Sequence, residues 1–129
     1  RLDCDVLNAD GGTRCASITG AYVAACLALK GICDADGRPF VAPPQAIGVS
    51  VGVLGDEVLT DLCYIEDSAA EVDLNFVASP KGIIEIQGTA EGDPFPRTQL
   101  TEMVDHAMAA AETLFAAQRA CLAELGINL

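Results

Sequence analysis

The chain turns at Ala9-Asp10-Gly11-Gly12-Thr13-Arg14, where a strand-like segment meets a long helical one. Two adjacent glycines allow a tight turn and a close approach of the backbone to a ligand. The following helix presents unpaired N–H groups and the positive end of its dipole to this turn. Thr13 adds a hydroxyl group, and Arg14 adds a forked cation that suits phosphate oxygens. The pattern predicts an anion site, most naturally for phosphate, and a plain strand-to-helix turn with Thr13 as the N-cap is the alternative.

The segments on either side of the turn have clear periodicities. Apolar side chains alternate with aspartates over residues 2–6, which predicts a strand at the very start and suggests that the chain begins inside a fold. The alanine- and leucine-rich segment from Thr13 to about Lys30 predicts a helix that ends at Gly31. Gly20 lies inside this helix, and a small residue there predicts a close backbone contact.

The remaining elements follow from alternation and turn signals. Residues 47–53 alternate branched and small side chains, which predicts a strand with one face open to close packing by a helix. Further strands are predicted at residues 58–62, towards Ala78, and at residues 83–87. A long helix is predicted from about Arg97 to Leu125, with Gln118 among the residues of its inner stripe.

Composition limits the class of protein. The 129 residues suit one domain spanning residues 1–129, and 51% are hydrophobic, so a core built from aliphatic side chains is expected. The net charge of −12 argues against DNA or RNA as a partner of the isolated chain. The six cysteines form no C-x-x-C pair, and no targeting segment or membrane span is evident, so reduced thiols, a cytoplasmic location and no membrane partner are expected.

A second candidate site lies in the acidic segment at residues 64–75. Asp67 and Asp73 would be about 20 Å apart on an extended strand, so they can act together only if the chain turns between them. Ser68-Ala69-Ala70 is small enough to form that turn. Two such carboxylates could hold Mg²⁺ together with waters and substrate phosphates, or one could transfer a proton. A solvated acidic loop is the alternative interpretation.

Two further features of the sequence are weaker signals of a site. Gln87 is followed by a glycine-containing segment that ends at Gly92, and it could line a cleft or precede a bulged turn. His106 is the only histidine, which excludes a multi-histidine metal site, and its position beside the apolar stripe of the last helix predicts a surface or boundary residue.

Taken together, four segments resemble the ribonuclease PH family, which is related to polynucleotide phosphorylase and the exosome core. They are residues 3–14, residues 66–75, residues 85–92 and residues 114–119. The resemblance runs in order over almost the whole chain and covers the second half of the family's length. It implies an α+β fold: a two-layer βαβ sandwich in which helices pack on a mixed sheet, here incomplete because the N-terminal strands are missing.

The resemblance also implies an activity. Members of the family are phosphorolytic 3′-to-5′ exoribonucleases, or tRNA nucleotidyltransferases, which use inorganic phosphate to release nucleoside diphosphates from the 3′ ends of tRNA precursors. By resemblance, Gly12, Thr13 and Arg14 bind the attacking phosphate, and Asp67 and Asp73 are the catalytic and Mg²⁺-binding pair. The family's assembly is a hexameric ring, so RNA and further copies of the chain are the expected partners.

Two other functions are alternative interpretations of this sequence. The chain could be a non-catalytic RNA-binding or scaffold subunit of an exosome-like ring, or an inactive fragment, although such ring subunits tend to lose the arginine or the aspartates. It could also be a different Mg²⁺-dependent enzyme that handles phosphate on a small substrate, a reading that suits the acidic charge.

Overall fold

A computed structural model describes all 129 residues of the protein. Its four strands form one sheet in the order β2-β1-β3-β4, and each neighbouring pair is antiparallel. The α+β class and the packing of helices on the sheet are confirmed, but no pairing is parallel, so the predicted mixed sheet is not observed. The elements are α1 (Thr13–Ala35), β1 (Ile47–Leu54), β2 (Glu57–Thr60), α2 (Tyr64–Asp67), β3 (Val72–Ser79), β4 (Gly82–Ala90) and α3 (Arg97–Glu124).

The two faces of β1 receive different helices, as its alternating sequence predicted. The branched side chains of β1 and β3 pack against α3 and form the main core, in which Phe76, Leu74 and Met103 are fully buried. On the opposite face, a Cβ added at Gly48 would lie 2.9 Å from the Cα of Cys15, so α1 approaches the strand at backbone distance. Only glycine permits that approach, which sets the start of α1 directly over the sheet.

Gln118 is the one buried polar side chain of α3, and all of its hydrogen-bonding groups have partners. Its amide nitrogen donates to the carbonyl oxygens of Thr19 at 2.9 Å and Ala46 at 2.8 Å. Its amide oxygen accepts a hydrogen bond from Gln45 at 3.2 Å. Because a buried amide is tolerated only when it is satisfied, this residue ties α3 to α1 and to the connection before β1.

α1 differs from its prediction at two points. It continues to Ala35, past Gly31, and an ion pair between Lys30 and Asp34 spans this last part of the helix. A Cβ at Gly20 would meet no atom within 4 Å, so the predicted close contact is wrong. α1 is also long and apolar enough to cross a membrane, with a mean hydropathy of 1.5, a property that the core helices of soluble proteins share.

The strand predicted at residues 2–6 is not formed. Residues 1–10 are exposed and contribute no strand pairing. An extended segment is stable in a sheet only when a neighbouring strand accepts its ladder hydrogen bonds, and neither edge of this sheet pairs with it. The alternating sequence therefore has the pattern of a half-buried strand without the partner that would bury it.

Candidate functional site

The turn before α1 needs both of its glycines, for different reasons. A Cβ at Gly11 would lie 2.0 Å from the carbonyl oxygen of Leu62, so the turn runs directly against the chain that enters the acidic loop. Gly12 has a φ of 65°, in the left-handed region, and a Cβ there would lie 2.7 Å from Ser50 Oγ. The close approach predicted from the sequence is thus made to the protein's own backbone and to β1, which fixes the turn to the sheet.

The first turn of α1 has no side-chain cap. Gly12 is the N-cap residue, and the Thr13 hydroxyl donates to the carbonyl oxygen of Asp10 at 2.9 Å instead of accepting from the helix. The interpretation of Thr13 as the N-cap is therefore wrong. The N–H groups of the first turn remain without intrahelical acceptors at the positive end of a 23-residue helix. This arrangement is suited to an anion.

The acidic segment makes the turn that its spacing required. It begins with the short helix α2, whose start is closed by a hydrogen bond from the Cys63 N–H to Glu66 at 2.9 Å. The chain then folds back through Ser68-Ala69-Ala70, and the N–H of Glu71 donates to the Val53 carbonyl oxygen at 2.8 Å. Asp73 follows on β3, between its partners on β1 and β4. This turn brings the side chains of Asp67 and Asp73 to the same cavity.

One polar cavity of about 210 Å³ brings the five predicted site residues together. Gly12, Thr13 and Arg14 enter it from the start of α1, whereas Asp67 and Asp73 enter it from the acidic segment. No hydrophobic side chain lines it. Its lining residues are Asp10, Gly12, Thr13, Arg14, Ser50, Asp67, Asp73 and Asn75.

The charges in this cavity are unbalanced. Three carboxylates face one guanidinium group, so an anion can be held there only if further positive charge accompanies it. Partial burial raises the pKa of Asp73, and the neighbouring Asp67 and Glu91 carboxylates raise it further. A divalent cation between Asp67 and Asp73 would relieve that repulsion, and their hard oxygen atoms suit Mg²⁺. No three carboxylate, histidine or cysteine side chains lie close enough together to hold one metal ion, so waters and substrate oxygens would have to complete the coordination.

Arg14 has an ionic partner that the sequence analysis missed. Its Nη2 atom lies 2.7 Å from Oε1 of Glu85 on β4, and both side chains are about half exposed. Glu85 pairs across the sheet with Val77, two positions from the pair formed by Asn75 and Gln87. Period-two alternation along β4 could have placed Glu85 on the cavity side, but only once the register with β3 was known.

Asn75 lines the cavity and was also missed by the sequence analysis, although it belongs to the acidic segment. The buried Cys15 thiol donates to Asn75 Oδ1 at 3.0 Å, and Asn75 Nδ2 lies 3.5 Å from Asp73 Oδ2. Burial raises the pKa of Cys15 to about 11, so its thiol is protonated at neutral pH and acts as the donor. This contact turns the amide group of Asn75 towards Asp73.

Asp10 and Ser50 also line the cavity without having been predicted. Asp10 accepts hydrogen bonds from the N–H groups of Gly11, at 2.9 Å, and of Tyr64. Ser50 Oγ accepts one from the N–H of Leu62 at 3.2 Å. Asp10 therefore joins the turn to the acidic segment, and Ser50 joins β1 to the chain that leads into that segment.

Gln87 and His106, the two weaker signals of the sequence, do not line the cavity. Gln87 lies within the regular part of β4 and does not line the cavity, and the irregularity in this hairpin falls between Val77 and Ala78. His106 is exposed, 3.5 Å from the Thr60 hydroxyl, as expected for a boundary residue. All six cysteines are free thiols.

The fold and the cavity define an α+β domain in which the glycine turn and Arg14 face a pair of carboxylates. Residues 45–110, which include Asp67 and Asp73, match the profile of the 3′ exoribonuclease family, domain 2. The chain belongs to this family.

Curated relatives agree over almost the whole chain. This chain is 52% identical over 129 residues to the ribonuclease PH of Rhodococcus erythropolis, and the match covers 95% of this chain and 48% of the relative. It is 49% identical over 126 residues to that of Moorella thermoacetica, covering 96% of this chain and 50% of the relative. The resemblance to ribonuclease PH is thus confirmed, and the chain spans about half the length of the curated relatives it matches.

Proposed function

We propose that this chain supplies the phosphate-binding and Mg²⁺-binding part of a phosphorolytic 3′-to-5′ exoribonuclease. In this reaction an oxygen of inorganic phosphate attacks the phosphorus of the last phosphodiester of an RNA. The bond to the 3′ oxygen of the preceding nucleotide breaks, and a nucleoside diphosphate leaves. The 3′ ends of tRNA precursors are the proposed substrates. The observation that carries the proposal is the single cavity in which Arg14 meets Asp67 and Asp73.

Each side of the cavity has a distinct task in this proposal. Gly12, Thr13 and Arg14 hold the attacking phosphate through backbone N–H groups, the helix dipole and the guanidinium group. Asp67 and Asp73 hold Mg²⁺, which when bound supplies positive charge to the reacting phosphate oxygens. Two anions must be brought into line for this reaction, so the contribution of these residues is positioning and charge compensation.

The half of the relatives that this chain does not match is proposed to supply the RNA-binding groups. The chain carries only seven lysine and arginine residues against nineteen acidic ones, so it has few groups with which to hold an RNA backbone. We propose that the RNA-binding cations, and a homo-oligomeric, hexameric assembly, depend on that further length. We also propose that the protein is located in the cytoplasm.

Phosphorolysis tests the proposal directly. The chain is mixed with a separately produced polypeptide covering the first half of the Rhodococcus erythropolis relative, and then with RNA, MgCl₂ and radioactive inorganic phosphate. We expect labelled nucleoside diphosphates, and we expect Arg14→Ala to reduce their formation at least 100-fold, as loss of a group that stabilises transition-state charge typically does. Arg38→Ala is the matched control, because Arg38 pairs with Asp36 at 2.8 Å and does not line the cavity.

Three outcomes would count against the proposal. Nucleoside monophosphates in place of diphosphates would indicate hydrolysis. Undiminished activity of Arg14→Ala would remove the phosphate site from the cavity. A stable complex that forms no nucleoside diphosphate, while an added related subunit does, would favour the scaffold reading.

A further inference from the structure

The carboxylate of Glu85 lies against the cation that the proposed phosphate site depends on. Its Oε1 atom is 2.7 Å from Arg14 Nη2. This oxygen is shielded from solvent and has no hydrogen-bond partner, so the ion pair with Arg14 is its only polar contact within the protein. Arg14 is therefore its sole source of charge compensation, and the positive charge of Arg14 is correspondingly reduced within the cavity.

We infer that Glu85 is an affinity-setting counter-ion, which competes with inorganic phosphate for Arg14. This inference rests on the proposed function, because it concerns the same anion site. A guanidinium group has five N–H donors, so phosphate could contact Arg14 while Glu85 remains nearby. The Glu85 carboxylate would then repel the incoming phosphate, and it would neutralise part of the positive charge of Arg14.

The pair has the features of a tuning contact and not of a structural one. Both side chains are about half exposed, and ion pairs with that exposure contribute little to folding. Glu85 projects from an edge strand of the sheet, outside the main core. Replacement by glutamine keeps the shape of the side chain and removes only its charge, so Glu85→Gln is expected to fold normally.

Binding of inorganic phosphate in the presence of MgCl₂, measured by isothermal titration calorimetry, tests the inference. We expect Glu85→Gln to lower the dissociation constant about two- to fivefold, the range by which exposed ion pairs hold their partners. The gain should shrink as salt is added, because the contact is screened. Glu112→Gln on α3 is the matched control: it makes the same change of charge at an exposed residue that has no ion-pair partner, and no change in affinity is expected.

A double-mutant cycle separates a direct contact from a general effect of charge. In the Arg14→Ala background, Glu85→Gln should no longer improve phosphate binding, since its partner is gone. An equal gain in that background, or an unchanged or higher dissociation constant for Glu85→Gln in the intact protein, would overturn the inference. Phosphate binding absent from both the wild type and Glu85→Gln would overturn it as well.

The same titrations distinguish failure of the inference from failure of the proposed function. If Arg14→Ala binds phosphate as well as the wild type does, the anion site itself is misplaced and the proposed function loses its basis. If Arg14→Ala weakens binding but Glu85→Gln does not strengthen it, the anion site stands and only the role of Glu85 is wrong.

Discussion

Replacing Gly12 with alanine is expected to lower the free energy of unfolding by about 2 to 5 kcal/mol, through two separate effects. Gly12 has a φ of 65°, and an alanine held in this region costs about 1 to 2 kcal/mol. Its Cβ would lie 2.7 Å from Ser50 Oγ, so the hydroxyl group must rotate away. That rotation would leave the N–H of Leu62 unpaired in a buried position, at a cost of about 1 to 3 kcal/mol.

Urea denaturation followed by circular dichroism measures this loss, and the chain provides a control with the opposite sign. Gly20→Ala makes the same chemical change in an exposed, unobstructed position inside α1. It is expected to raise the free energy of unfolding by about 0.5 to 1 kcal/mol, because alanine has the better helix propensity.

The two effects at Gly12 can be separated by a second substitution. Ser50→Ala already removes the hydrogen bond to Leu62, so in that background Gly12→Ala should cost only the backbone part, about 1 to 2 kcal/mol. The reasoning is refuted if Gly12→Ala costs less than about 0.5 kcal/mol, or if its cost is the same whether or not Ser50 is present.

Three further predictions concern charge, thiol chemistry and the core. Burial, Asp67 and Glu91 raise the pKa of Asp73, so ionisation of this carboxyl group lowers the stability of the fold as the pH rises from its pKa in the unfolded chain to its raised pKa in the folded protein. Asp73→Asn should therefore raise the free energy of unfolding at pH 7, by no more than about 1 kcal/mol for a partly solvated group. Urea titrations at several pH values that show a loss of stability would contradict this. Iodoacetamide should label the exposed thiols well before Cys15, whose pKa burial raises to about 11; mass spectrometry of the peptides checks the order, and early labelling of Cys15 would show that it is not buried. Phe76→Ala should cost about 3 to 5 kcal/mol in urea denaturation because the side chain is fully buried, and an equal cost for the partly buried Phe95 would contradict the assignment of the core.

Periodicity predicted most of the fold because each helix and strand buries one regular face. The alternation of β1 predicted both its strand and the close packing of a helix on its small face, and the stripe through Gln118 predicted the buried side of α3. The same rule failed at residues 2–6, where alternation is present but no neighbouring strand lies against the segment. Alternation reports a preference for a sheet, and the pairing itself depends on partners that one segment cannot specify.

The candidate site was predicted where short motifs carry the chemistry and was missed where tertiary contacts create it. The five predicted residues meet in one cavity, since the turn at Ser68-Ala69-Ala70 brings Asp67 back towards Asp73. Glu85, Asn75 and Ser50 were not assigned because their relation to the cavity depends on strand register. Asn75 and Glu85 lie within two of the family-like segments, but the spacing of those segments marks neither residue as part of a site.

The Asp10 carboxylate makes the two halves of the cavity mechanically dependent on each other. It accepts hydrogen bonds from Gly11 within the turn and from Tyr64 at the start of α2, 54 residues further along the chain. A displacement of the acidic segment, on loading or losing a cation, would therefore be passed to the backbone that presents Gly12, Thr13 and Arg14. Asp10 would therefore couple the proposed cation site to the proposed phosphate site, so substitutions on one side of the cavity are expected to alter ligand binding on the other.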